Sequence, residues 1–184
     1  MGSLLFPAAV GAVLFPLFIG AVAIWASVVG SWFVKLGGTA IMGAMYKGLA
    51  VAGLLSAGVF YYISYVNTNL IEGLSGGSQL FGSLLVGLVV TVLIFWITDF
   101  YTSKKHSPVK DIAKASTTGH GTNIITGLAV SMESTVWPVV VIIAGILSAF
   151  YFAGLYGVAL ATMSMLSLAA IVVAIDAFGP ITDN

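Results

Sequence analysis

Long apolar runs separated by a few polar breaks make up the whole chain. Residues 4–34, 39–66, 80–98, 124–152 and 155–177 are almost free of charge, and polar residues collect at 67–79 and 99–123. At 1.5 Å per residue each run is long enough to cross a hydrocarbon layer of about 30 Å. Backbone polar groups in lipid must be satisfied within the segment, so each run predicts a helix. A transmembrane barrel would show alternating segments of about ten residues, and none occurs. The expected fold is all-α: a multi-span transmembrane bundle of about five helices, in one membrane domain over residues 1–184 with a polar loop at 99–123.

The cations orient this zigzag. The six lysines stand at 35, 47, 104, 105, 110 and 114, in the first and third connections alone if Tyr46 and Lys47 form a headgroup-level turn and the second span proper starts at about Leu49. The second connection carries Glu72 and no lysine, and the fourth carries no charge. Five alternating spans put all six lysines on one side, which the positive-inside rule makes cytoplasmic. The chain then starts outside, and Asp176 through to Asn184 ends inside.

Composition agrees with lipid as the surroundings. Apolar residues make up 60% and charged residues 7%, against about 25% charged in soluble domains. A soluble all-α bundle would have to extract without detergent. Zero net charge excludes nucleic acid as a partner, which needs a basic surface. With no cysteine there is no disulfide or thiolate metal site. The first run lacks a basic leader and is too long for a signal peptide.

Few residues could carry chemistry. Asp176 closes the last apolar run, Gly179 and Pro180 stop the helix, and Asp183 and Asn184 follow. Two carboxylates and an amide at a helix end are hard oxygen ligands suited to Mg²⁺ with phosphate. Turn residues facing the cytoplasm are the plainer alternative. Glu133, about ten residues into the fourth run, is either on an ion path or bonded to Ser131, Ser134 or Thr135. His106 and His120 have no third ligand at metal spacing. Ser116, Thr117, Thr118 and Gly119 read as a capped approach to the fourth helix. Glycines such as Gly82, Gly87, Gly154 and Gly157 read as close-packing positions between helices. Trp25, Trp32 and Trp96 sit towards segment ends, as interfacial tryptophans do.

The stretch DFYTSKKHSPVKDIAKASTTGHGTNIITGLAVSMEST, followed by GLYGVALATMSMLSLAAIVVAIDAFGPITDN, resembles the membrane-integral inorganic pyrophosphatases. Those pumps hydrolyse pyrophosphate and export H⁺ or Na⁺. Their pattern is close to E-Y-Y-T-S, then P-V and I-A, then T-G and T-N, then D-A-Y-G-P-I-x-D-N-A-G-G. Here Asp99 and Phe100 stand where Glu and Tyr are commoner, and Phe178 where Tyr often stands. The match is good over residues 33–184 and is one of hydropathy alone before that.

The resemblance implies a Mg²⁺ cofactor, pyrophosphate as substrate, and a homodimer with residues 124–152 near the contact; a bacterial inner membrane is expected from the general appearance of the sequence alone. It matches Asp176 to an aspartate that binds Mg²⁺ with pyrophosphate, and Asp183 and Asn184 to neighbouring motif positions. Glu133 has no counterpart in the family's gate acid. The resemblance further implies a central fragment of the pump, inactive alone, with no complete catalytic set. The competing expectation is a complete small channel or structural membrane subunit without enzymatic activity.

Overall fold

The computed structural model describes residues 10–34, 41–66, 76–174 and 177. Among them are α1 (Val10–Trp32), α2 (Ile41–Val66), α3 (Gly77–Thr102), α4 (Ser107–Ser116) and α5 (His120–Leu166), and no strand. Among the described residues four stretches are long and apolar enough to cross a membrane. The last of these is interrupted. Ala153 (φ −145°, ψ 29°) and Gly154 (φ 58°, ψ −147°) leave helical geometry, and the Gly154 conformation is one that only glycine occupies readily. The interruption falls at the sequence's fourth connection, and the arms on either side, 120–152 and 155–174, are each long enough to span. Large apolar side chains face outward in every long helix. Leu54, Trp25, Ile124 and Ile125 are 70–75% exposed, which is tolerable in lipid and costly in water.

The chain divides into two compact units, Met1–Val89 with Ile146–Asn184, and Val90–Gly145. In the first, α1 turns its Ala12, Phe15, Ile19, Ala23 and Ala26 face inward, at the three- and four-residue spacing of one helix side. α2 does the same with Leu49, Ala52, Ser56 and Phe60. Gly30 lies against Ala52 and Gly48 against Val34, so α1 and α2 approach with almost no side chain between them.

The C-terminal arm of α5 packs between α1 and the start of α3 in this unit. Tyr156 donates to the Ala12 carbonyl at 2.9 Å, Gly20 faces Met163, and Ser27 donates to the Ser167 carbonyl. Those three contacts advance along both helices together, so α1 and the arm run parallel. Gly82 meets Phe152, Gly157 meets Ser83, and Gly87 meets Ala161, so α3 runs the same way. Ser164 adds a hydrogen bond to the Leu84 carbonyl at 2.5 Å. The expected close-packing role holds at Gly82, Gly87 and Gly157. Gly154 instead serves the backbone, with open space around it, and Gly53 also faces open space.

The second unit holds the end of α3, α4 and the first part of α5. Thr98 and Thr102 donate to carbonyls one turn back, and α3 continues through Asp99 to Thr102, four residues beyond the sequence boundary. Pro108 starts α4, where its missing N–H costs nothing.

Candidate functional site

The acids come first, because the sequence places the candidate metal ligands among them. Of the six, Asp99, Asp111 and Glu133 are among the described residues; Glu72, Asp176 and Asp183 are not, and neither is Asn184. The predicted site residues Asp176, Asp183 and Asn184 therefore lie outside the described residues. What is described is the helix that leads to them. Tyr156, Leu160, Ser164, Leu168 and Ile171 are buried along one face of the α5 C-terminal arm. The buried hydroxyls of Ser27, Ser164 and Ser167 all donate to carbonyls there. The described part of this arm runs to Ala174, two residues before Asp176 in the sequence.

In the second unit, one carboxylate finds a partner on another helix. Tyr101 of α3 donates to Glu133 Oε1 of α5 at 3.4 Å. The expected bonds from Glu133 to neighbouring hydroxyls are not seen. Ser134 donates instead to the Ser131 carbonyl and Thr135 to the Met132 carbonyl. Helical hydroxyls commonly turn back to their own backbone in this way, which leaves the carboxylate to the tyrosine. The contact is long and exposed, so it orients the pair and contributes little energy.

The hydroxyls between α4 and α5 also act differently from the sequence reading. Ser116, Thr117 and Thr118 donate to the carbonyls of Ala113, Lys114 and Ala115, and so close the end of α4. Thr118 and Thr122 join at 2.7 Å, and Gly119 at φ 148° makes the turn into α5. His106 lies beside the Phe100 ring, 4.9 Å between centroids. Among the described residues no three His, Asp or Glu side chains gather in one place.

Sequence reasoning missed an apolar groove of about 380 Å³ in this unit. Leu93, Trp96, Ile97 and Phe100 of α3 form one wall, and Trp137 and Val141 of α5 form the other. The four-residue spacing of Glu133, Trp137 and Val141 was the available signal, since it puts all three on one side of α5.

Residues 1–184 match the family described as Inorganic H+ pyrophosphatase. A pyrophosphate-energized proton pump 2 from Mycoplana dimorpha is 50% identical over 165 residues, covering 86% of this chain and 79% of that protein. The K(+)-insensitive pyrophosphate-energized proton pump of Methanosarcina mazei is 44% identical across the whole chain, which spans 28% of its length. A pyrophosphate-energized proton pump from Anaplasma marginale is 46% identical over 138 residues, 72% of this chain and 98% of that protein.

Proposed function

The chain belongs to the inorganic H+ pyrophosphatase family, and from that premise we propose that it forms part of a pump that hydrolyses pyrophosphate and moves protons across a membrane. The carrying observation is the match over residues 1–184 together with 44–50% identity to pyrophosphate-energized proton pumps. The names of those relatives favour H⁺ over Na⁺ as the transported ion.

The substrate in this reading is pyrophosphate complexed with Mg²⁺. Asp176 supplies a carboxylate to it, with Asp183 and Asn184 as further oxygen donors of the kind such a complex accepts. Support for the assignment comes from the resemblance of AIDAFGPITDN to the family's motif. Six acids in the whole chain are few for so highly charged a ligand. The 184 residues alone are accordingly expected to be inactive.

The remaining parts of the reading are a homodimer and a bacterial inner membrane. Support for the dimer comes from α5, where Ile125, Met132, Val136 and Ile143 form an exposed apolar face.

The test replaces the matching segment of the Methanosarcina mazei relative with this chain and assays inverted vesicles. Pyrophosphate-dependent phosphate release and proton uptake are expected, with both lost in Asp176→Asn while the protein still inserts. A well-inserted chimera without activity, or an Asp176→Asn variant with full activity, refutes the proposal. Mg²⁺-dependent turnover by the 184 residues alone would refute the expected inactivity.

A further inference from the structure

The α3 wall of the groove between α3 and α5 ends at Phe100 and Tyr101, three residues before Lys104 and Lys105. Its lining from Leu93 to Phe100 covers about 10 Å of helix, and its volume of about 380 Å³ lies in the range of sites for small apolar ligands. Trp96 and Trp137, which form its sides, remain more than half exposed. An apolar cavity does not attract water, and a chain read as spanning a bilayer has acyl chains beside it. The Phe100 ring lines the groove and also packs against His106. His106 directly follows Lys104 and Lys105. One ring thus joins the apolar wall to the lysine-bearing turn.

The charges around this end decide which lipid fits. The unit Val90–Gly145 carries four lysines, Lys104, Lys105, Lys110 and Lys114, against three acids, Asp99, Asp111 and Glu133. Glu133 is occupied by Tyr101 at the groove's edge, and Asp111 sits within α4 between two of the lysines. The turn at 104 and 105 has no acid of its own. We propose that the groove holds one acyl chain of an anionic phospholipid of the cytoplasmic leaflet, with its headgroup against Lys104 and Lys105. The groove side of α5 lies about 140° around the helix from the apolar face of Ile125, Met132, Val136 and Ile143. Lipid and a second copy of the chain therefore do not compete for one surface. The proposal rests on the chain being in a membrane and is independent of pyrophosphate hydrolysis.

Brominated lipids test it. The full chain, with Trp25→Phe and Trp32→Phe so that Trp96 and Trp137 report, is placed in phosphatidylcholine nanodiscs. A small fraction of phosphatidylglycerol or phosphatidylcholine brominated on the acyl chain is then added. Brominated phosphatidylglycerol is expected to quench at about thirtyfold lower mole fraction, the preference two membrane-surface lysines confer together. Lys104→Gln with Lys105→Gln should bring the two lipids to parity. Equal quenching before that substitution overturns the headgroup assignment. Absence of quenching by either lipid means that a second copy or another helix fills the groove, and overturns the proposal entirely.

Discussion

Replacing Gly87 with alanine puts a methyl group where α3 meets the C-terminal arm of α5. A Cβ there would collide with the Ala161 carbonyl and lie 2.9 Å from the Ser164 Cβ. Neither obstacle is the end of a flexible side chain, so the helices must separate. Overpacking of this kind costs about 1–3 kcal/mol. Separation also stretches the bond from Ser164 to the Leu84 carbonyl, and interhelical bonds in membranes contribute about 0.6–1.7 kcal/mol. The expected loss is about 2–4 kcal/mol. Gly53→Ala is the control, because nothing lies within 4 Å of its Cβ and alanine improves helix propensity by up to about 1 kcal/mol. Unfolding of both variants in mixed micelles, titrated with SDS and followed by circular dichroism, gives the difference. Equal stability of Gly87→Ala and Gly53→Ala would show that the helices do not meet at Gly87.

The interruption of α5 and the buried tyrosine make two further cases. Gly154→Ala should destabilise by about 1–3 kcal/mol despite the open space around it, because its φ of 58° with ψ −147° disfavours any side chain; the same SDS titration reads it, and an unchanged midpoint contradicts the geometry. Tyr156→Phe removes a buried bond to the Ala12 carbonyl and should cost about 1–2 kcal/mol. Tyr101→Phe removes the long exposed contact to Glu133 and should cost less than about 0.5 kcal/mol by the same measurement.

The helical spans were legible in the sequence because a lipid-facing segment needs no partner to declare itself: its length and apolarity suffice. Their ends were less so. α3 passes Asp99, and Thr98 and Thr102 turn their hydroxyls back onto its own backbone, local details that hydropathy does not register. Packing faces were the hardest to read. When every side of a helix is apolar, nothing in the pattern separates Gly87, pressed on a neighbour, from Gly53, facing open space. The partner of Glu133 was missed for a related reason, since Tyr101 lies 32 residues away on another helix. The acids at the chain's end were legible through motif resemblance and not through periodicity, which treats Asp176 as the end of one more apolar run.

The central physical claim is that the lysines of the third connection and the terminal aspartates share the face from which pyrophosphate arrives. The absence of cysteine makes the decisive measurement clean. Lys105→Cys and Thr182→Cys, each alone in the full chain, are exposed to a membrane-impermeant maleimide in right-side-out and inverted vesicles. Both positions should label in inverted vesicles only. Labelling of the two from opposite sides would contradict the orientation and, with it, the assignment of Asp176 to a cytoplasmic substrate.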